Sequence, residues 1–258
     1  MQRDTVIYRE ILKCKEQGVP SALAILVRCE GSSPQKEGAK LLVRADGSTV
    51  GTIGGGVLEV EVIAAGRRVM KQGAPSTLSL ELTEAHGHAC GGRVLVYVEP
   101  ILPDPHLVIL GAGHVGRALS TVARFVGFRV TVADDRPEYA NREQLPNADQ
   151  VVISDFSHVF SQVSADEHTC VVIATRGHEH DQEAATATLV TAAAYVGLVG
   201  SSRKRSALET TLRQQGFSKR DIERVHTPAG LAIGSVTPEE IAVSIMAQII
   251  QHRRGHGA

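Results

Sequence analysis

A glycine-rich segment in the middle of the chain, Gly111 to Gly116 (GAGHVG), has the residue types and spacing of a phosphate-binding turn. Gly111 would permit a tight turn, Gly113 would let the backbone approach a pyrophosphate, and Gly116 would let the next helix pack on the preceding strand. His114 lies within the turn, and Asp134 follows where an acid meets a ribose hydroxyl in dinucleotide-binding proteins. The pattern predicts a site for a nucleotide or a phosphorylated cofactor, although a turn kept only for packing would use the same glycines.

Two later segments place cations beside small residues, each directly after a predicted strand. The segment Thr175–Asp181 (TRGHEHD) is predicted as a loop in which Arg176 and His178 bind an oxyanion or transfer a proton. Because its two histidines lack a third spaced ligand, we predict no metal site. The segment Gly200–Arg205 is equally consistent with phosphate binding and with the solvated, basic start of a helix. Its candidate ligand-binding residues are Ser201, Ser202, Arg203 and Lys204.

The first hundred residues contain their own glycine cluster, Gly51 to Gly56 (GTIGGG), which leads into a predicted helix. Successive glycines expose backbone amides that can bind an anion, and a flexible turn is the alternative. No Gly-Lys-Ser/Thr follows, so the cluster is not a P-loop. The candidate cofactor-binding residues here are Gly54, Gly55, Gly56 and Glu59. Further along, Cys90 lies in a glycine-rich segment near two histidines, where a thiol could be accessible and reactive, although free cysteines are usually buried and inert.

The elements that would position these residues fall into two parts. After a proline-containing linker at 102–105, predicted strands alternate with helices, a pattern typical of a doubly wound parallel sheet. The strands are expected at 107–111, 128–133, 150–153, 170–174 and 195–199, and the helices near 115–126, 181–193 and 203–215. We therefore predict an α/β protein: a smaller α+β domain at 1–102 and a Rossmann-like domain at 103–258. Thr237-Pro238-Glu239-Glu240 fits the capping box of a final helix.

The composition excludes several classes of protein. The net charge of -1 and an aromatic content of 3% argue against a nucleic-acid partner, and no apolar run approaches the length of a membrane span. The four cysteines are far apart and form no CxxC pair, which argues against a disulfide framework. The polar N-terminus is unlike a signal peptide. We expect a cytoplasmic protein with no membrane partner.

Taken together, these segments resemble the XdhC/CoxI family of accessory proteins, which mature molybdenum hydroxylases such as xanthine dehydrogenase. The resemblance covers nearly the whole chain. It depends on GSSP at 31–34, GAK at 38–40, GTIGGGVLE at 51–59, CGG at 90–92, EP at 99–100, GAGHVG at 111–116, DDR at 134–136, TRGHEHD at 175–181, GLVGSSRK at 197–204 and GLAIGSVTPEEI at 230–241.

The resemblance implies a maturation factor for the molybdenum cofactor rather than an oxidoreductase. Family members bind molybdopterin or its dinucleotide form, support replacement of an oxo ligand by sulfur with a cysteine desulfurase, and pass the cofactor to the hydroxylase apoenzyme. The glycine turn and Ser201–Lys204 would then bind phosphate, and Cys90 would contact molybdenum or accept sulfur. A homodimer is compatible with this expectation. Two alternatives remain: an NAD(P)-dependent oxidoreductase using Gly111–Gly116 and Asp134, and a sulfur-transfer enzyme with a persulfide on Cys90.

Overall fold

The computed structural model of the protein describes residues 2–31, 33–82 and 92–255. The chain divides into two compact units, Met1–Asp104 and Pro105–Ala258. The division lies in the proline-containing connection that the sequence indicates, where proline restricts the backbone and has no N–H to donate.

The first unit is a five-stranded antiparallel sheet with helices on both faces. Its elements are α1 Gln2–Glu16, β1 Ser21–Glu30, β2 Lys40–Arg44, β3 Thr49–Gly51, α2 Gly56–Gln72, β4 Ser76–Leu82 and β5 Gly92–Ile101. The strands run in the order β3-β2-β1-β5-β4, so the longest pairing joins the two ten-residue strands β1 and β5. Helix α2 packs on one face through Leu58, Val62 and Val69, and Ile7 of α1 packs with Leu42 on the other.

The second unit contains a six-stranded parallel sheet. Its elements are β6 His106–Leu110, α3 His114–Phe125, β7 Arg129–Asp134, β8 Gln150–Ile153, β9 Thr169–Ile173, α4 His178–Leu189, β10 Tyr195–Leu198, α5 Ser202–Gln214, α6 Lys219–Glu223, β11 Val225–His226 and α7 Pro238–Gly255. The strands run in the order β11-β10-β9-β6-β7-β8, which, counted from β6 as the first strand, is the 3-2-1-4-5-6 order of a doubly wound dinucleotide-binding sheet. The predicted Rossmann-like fold is therefore confirmed.

Both faces of this parallel sheet are covered by helices. On β6, Leu107 and Ile109 belong to the cluster formed with α3 and α7, whereas Val108 and Leu110 belong to the cluster formed with α4 and α5. Because alternate side chains of a strand point to opposite faces, a continuous apolar strand is what two covered faces require. The strand at the centre of the predicted site is thus anchored on both sides.

The difference from the predicted elements that affects the candidate site lies at the start of α4. This helix begins at His178 rather than near residue 181, so most of the predicted TRGHEHD loop forms its first turn. Glu179 and Asp181 are acidic residues in that turn, where the positive end of the helix dipole favours them. The predicted capping box at the final helix is confirmed, because Glu240 N donates to Thr237 Oγ1 (3.2 Å) and Thr237 N donates to the Glu240 carboxylate (3.0 Å).

A buried histidine at the start of β6 makes the stability of the fold dependent on pH. His106 is 5% exposed, and its Nε2 lies 2.9 Å from Thr131 Oγ1. Burial, with a smaller contribution from the charge of Arg129, lowers the pKa of His106 to about 4. The folded protein therefore keeps this imidazole neutral at pH values where the unfolded chain protonates it.

We expect the free energy of unfolding to fall by roughly 2 kcal/mol through this group alone between pH 7.5 and pH 5. The contribution is fully present above the unfolded pKa of about 6.5 and is lost as the pH falls toward the folded value. Urea titrations followed by circular dichroism measure it. His106→Gln cannot titrate and should lose this part of the pH dependence; an unchanged slope in the variant would contradict the assignment.

Candidate functional site

The predicted ligand-binding segments of the second unit meet at the carboxyl edge of its sheet, which we define as the ends of β7, β6, β9 and β10. Backbone hydrogen bonds continue past the strand ends, from Gly111 N to Ala133 O (2.8 Å) and from Ala174 N to Leu110 O (2.8 Å). The chain connections change direction between β6 and β9, and doubly wound sheets bind ligands at such a point. The glycine turn follows β6 and the Arg176 segment follows β9, one on each side of it.

The three glycines of the turn have different roles. Gly111 has a φ of +119°, and a Cβ there would lie 2.3 Å from the Ala174 carbonyl oxygen. A Cβ at Gly116 would lie 1.9 Å from the Gly111 carbonyl oxygen. These two glycines are therefore required by packing. Gly113 has an ordinary φ of −70°, and a Cβ there would meet no heavy atom within 4 Å among the described residues. Its surface leaves space for a ligand to approach the backbone.

Three helices begin at the carboxyl edge without a side-chain cap. The N-cap residues of α3, α4 and α5 are Gly113, Gly177 and Ser201, and none makes a side-chain cap hydrogen bond within the described part of the chain. Helices α6 and α7 begin with capping boxes. The first N–H groups of a helix have no partner within the helix and carry its positive partial charge. The carboxyl edge therefore offers three sets of amides to an anion.

Asp134 supports the glycine turn from inside the protein. Its carboxylate is 1% exposed and accepts a hydrogen bond from Ala112 N (2.8 Å). Arg136 donates to both of its oxygens, at 2.9 Å from Nε and 3.0 Å from Nη2. This changes the interpretation of Asp134: the carboxylate that we expected to meet a ribose hydroxyl is buried, and both of its oxygens already accept hydrogen bonds.

The neighbouring carboxylate, Asp135, forms an ion pair with Arg176. Nη2 of Arg176 lies 2.7 Å from Oδ2 of Asp135, and a second hydrogen bond joins Nη1 to Oδ1. Hydrogen bonding from Arg176 lowers the pKa of Asp135 to about 2, so it is ionised at physiological pH. Because Asp135 follows β7 and Arg176 follows β9, the pair connects the two segments that flank the glycine turn.

A third carboxylate, Asp181, connects the segments after β9 and β10. It lies in the first turn of α4, its side chain is 4% exposed, and it accepts hydrogen bonds from Thr175 Oγ1 (2.6 Å) and Lys204 Nζ (2.7 Å). Lys204 also lies against Gly200, where a Cβ would come within 2.5 Å of its Cδ. The ammonium group is therefore held in place at the start of α5. Ser201 is exposed beside it, and the side chains of Ser202 and Arg203 lie outside the described part of the chain.

The histidines of the predicted site differ in exposure and contacts. His114 and His178 are exposed in the first turns of α3 and α4. His180 is half-buried, with Nδ1 3.3 Å from the Glu183 carboxylate and its ring edge against Phe156 (5.7 Å between centroids). Among residues 2–31, 33–82 and 92–255, no three His, Cys, Asp or Glu side chains are grouped so that they could hold a metal ion.

In the first unit, a carboxylate of the chain itself occupies the glycine cluster. Oε1 of Glu59 accepts hydrogen bonds from Thr52 Oγ1 (2.6 Å), Ile53 N (3.2 Å) and Gly55 N (3.1 Å), and Gly54 N donates to Thr52 Oγ1 (3.2 Å). This is a correction to the sequence prediction, because amides that we expected to bind an external anion have internal acceptors.

The remaining candidates of the first unit are Gly54, Gly56 and Cys90. Gly56 is the first residue of α2. A Cβ at Gly54 would lie 2.7 Å from Pro34 Cγ, so packing accounts for that glycine. Cys90 lies outside the described residues.

The residues predicted from the sequence do not include Asp135 and Asp181, which organise the cations of the carboxyl edge. Both are visible in the sequence as acids within segments already singled out, Asp135 just after a predicted strand and Asp181 at the predicted start of a helix. Their cationic partners lie 41 and 23 residues away, so the pairing depends on the strand order and could not be seen from local spacing.

Comparison with known proteins identifies relatives that match both units. Residues 107–249 match the family described as the XdhC Rossmann domain, and residues 14–81 match the family described as XdhC and CoxI. The chain is 36% identical over 250 residues (95% of its length) to Uncharacterized protein YqeB of Escherichia coli strain K12. It is 33% identical over 159 residues (62% of its length) to a protein of Bacillus subtilis strain 168 that is named as a probable xanthine dehydrogenase subunit. Each match covers 46% of the relative, so the chain spans about half the length of the curated relatives it matches.

A solved structure has the same fold. The crystal structure of a Bacillus halodurans protein described as a xanthine dehydrogenase superposes with a TM-score of 0.53. The two chains are 24% identical, and the match covers 96% of this chain and 95% of the other. The described residues include no helix that is both long and apolar enough to cross a membrane.

The different environments of the glycines predict different effects of substitution. Gly111→Ala and Gly116→Ala each force a methyl group against a backbone carbonyl, so we expect each to lower the free energy of unfolding by about 3 kcal/mol or more. Gly113→Ala should change it by no more than about 1 kcal/mol, because its backbone is unstrained and its surroundings are open. Urea denaturation of the three variants provides the comparison. Equal destabilisation by all three would show that Gly113 is also a packing glycine.

Proposed function

Because the chain belongs to the XdhC and CoxI family, we propose that it binds the molybdenum cofactor and takes part in the maturation of a molybdenum hydroxylase related to xanthine dehydrogenase. The name of the Bacillus subtilis relative refers to xanthine dehydrogenase, which supports a molybdenum hydroxylase apoenzyme as the partner. The observation that carries the proposal is the carboxyl edge, where three uncapped helix N-termini and the open surface of Gly113 come together. Such an edge suits the phosphate of a cofactor that is held and passed on.

The phosphate would bind at the start of α3, where the backbone at Gly113 is open to a ligand. Lys204, anchored by Asp181, and the exposed Ser201 at the start of α5 are the next donors along the edge. Arg176 adds a guanidinium at the start of the segment after β9. Backbone amides, an ammonium and a guanidinium fit a phosphate group, whose oxygens accept hydrogen bonds and carry negative charge. The cofactor brings the molybdenum centre as cargo, and the residues of this chain bind and orient its phosphate.

The proposal includes a second partner, a cysteine desulfurase, that supplies the sulfur replacing a terminal oxo ligand of molybdenum. Cys90 is the candidate thiol for contact with the metal or for accepting that sulfur. These roles come from the family resemblance, as does the exact form of the cofactor, molybdopterin or its dinucleotide. A homodimer belongs to the same proposal.

An NAD(P)-dependent oxidoreductase is the second candidate, and the 3-2-1-4-5-6 strand order with its glycine turn favours it. The state of Asp134 argues against it. A nicotinamide dinucleotide is usually held by an acid at the end of the second strand that accepts from the ribose. Here that carboxylate is buried and bonded to Ala112 and Arg136.

A retention experiment tests the proposed function. The purified protein is incubated anaerobically with isolated molybdenum cofactor, freed of unbound material on a desalting column, and assayed for pterin by fluorescence after oxidation. We expect close to stoichiometric retention by the wild-type protein and at least a tenfold weaker affinity for Gly113→Ala, because the added methyl group would lie where the phosphate approaches the backbone.

The matched control is Gly255→Ala, which adds a methyl group at another position with no heavy atom within 4 Å among the described residues. It should retain pterin like the wild-type protein. Parallel titrations with NADH and NADPH test the second candidate. The absence of pterin retention, together with saturable binding of a nicotinamide dinucleotide and turnover of a small substrate, would replace the proposed function with the oxidoreductase.

A further inference from the structure

We propose that Asp135 is a specificity-determining residue, an internal carboxylate that occupies Arg176 in the free protein and is displaced by a terminal phosphate of the ligand. The inference rests on the proposed function, because it concerns the same site, and it names the class of ligand as a phosphomonoester. Asp135 would then set both how tightly and how selectively the carboxyl edge binds.

The carboxylates of the carboxyl edge differ in how firmly they are held. Asp134 is 1% exposed and accepts from a backbone N–H as well as from Arg136. Asp181 is 4% exposed and accepts from the Thr175 hydroxyl as well as from Lys204. These two are buried parts of the fold. Asp135 is 19% exposed, and its Arg176 partner is 39% exposed. It is the member of this group that solvent reaches, so it is the one that a ligand can replace.

The geometry of the ion pair resembles the interaction of a guanidinium with a phosphate. Two parallel N–H···O hydrogen bonds join Arg176 to Asp135, and phosphate oxygens accept from arginine in the same bidentate way. A partly exposed ion pair is screened by water and contributes little to stability, so exchanging one anion for another need not disturb the fold. After exchange, the released carboxylate still has Arg136 nearby, since Nε of Arg136 lies 3.9 Å from Asp135 Oδ1.

The Arg176–Asp135 ion pair spans the glycine turn at which the phosphate is proposed to bind. Arg176 and Asp135 follow the strands on either side of β6, whose end carries the glycine turn. A phosphate at the start of α3 is therefore placed between the segments that the ion pair connects. Arg176 can serve that phosphate once Asp135 has left it.

This arrangement selects the chemical class of the ligand. Only an anion can replace a carboxylate on a guanidinium, and a terminal phosphate, with up to two charges, competes better than one phosphate of an internal pyrophosphate diester. A neutral ribose diol cannot compete, and it finds no free acceptor on Asp134. A phosphomonoester on a pterin-like ring is thus favoured over a nicotinamide-type dinucleotide.

Three flavins provide matched probes, because they share one fused heteroaromatic ring system and differ in phosphate. Riboflavin has none, riboflavin 5′-phosphate has a terminal phosphate, and flavin adenine dinucleotide has an internal pyrophosphate. Quenching of their fluorescence by the purified protein gives each affinity. For the wild-type protein, we expect riboflavin 5′-phosphate to bind at least fivefold more tightly than either of the others.

Substitutions at the ion pair test separately whether Asp135 competes with the phosphate and whether Arg176 binds it. Asp135→Asn should raise the affinity for riboflavin 5′-phosphate by about fivefold to tenfold and that for riboflavin by less than twofold, because the internal anion is removed. Arg176→Gln should reduce the affinity for riboflavin 5′-phosphate to that for riboflavin. In the double variant, Asp135→Asn should have no further effect, since its action depends on Arg176.

The control is Asp149→Asn, which removes the charge of an exposed partner of Arg124 (2.7 Å) elsewhere in the same unit. It should leave all three affinities unchanged. If Asp135→Asn binds riboflavin 5′-phosphate no more tightly than the wild-type protein, including the case in which neither binds it, the internal competitor is refuted. If Asp135→Asn binds riboflavin 5′-phosphate more tightly as expected but the wild-type protein does not retain molybdenum cofactor, the proposed function is refuted and the role of Asp135 as an internal competitor is supported.

Discussion

Gly111 brings the end of β6 against the backbone directly after β9 more closely than any side chain would permit. A Cβ at this position would lie 2.3 Å from the Ala174 carbonyl oxygen and 3.0 Å from Thr175 N. The backbone hydrogen bond from Ala174 to Leu110 extends the pairing of the two strands to this point. The contact places the start of α3 beside the segment that carries Arg176, so the candidate site depends on it. Asp134 holds the other side of the same turn through Ala112 N.

Buried carboxylates position the cations of this edge. Asp134 fixes Arg136, and Asp181 fixes Lys204, each with a second hydrogen bond from a backbone amide or a hydroxyl. A buried charge is costly unless it is paired and hydrogen-bonded, and these two satisfy both conditions. In the proposed function their role would be indirect: they keep cations oriented near helix N-termini without side-chain caps, so that a ligand would not have to order those cations on binding.

The fold was largely predictable because it depends on local patterns. Continuous apolar strands, alternating helices and the spacing of Gly111, Gly113 and Gly116 are all properties of short segments. The roles of Asp134 and Glu59 were not predictable in the same way. Each side chain could face a ligand or its own loop, and the choice depends on whether amides elsewhere already have partners. Glu59 does have a weak local signal, since it lies in the first turn of the helix that the glycine cluster begins.

The two glycine-rich clusters of this chain show why such a sequence alone does not define a binding site. In the first unit, Ile53 N and Gly55 N donate to Glu59 and Gly54 N donates to Thr52, so these three loop amides have internal acceptors, although helix α2 itself begins without a side-chain cap among the described residues. In the second unit, the start of α3 has no side-chain cap within the described residues, and the nearby carboxylate of Asp134 binds Ala112 instead. Glycine makes backbone amides accessible in both loops. In both loops an acidic side chain of the chain accepts from a backbone amide. What distinguishes them is the N-cap amide: Gly55 N donates to Glu59, whereas the carboxylate in the second loop accepts from Ala112 N and not from Gly113 N, and for this reason we propose the second unit as the site for an external anion.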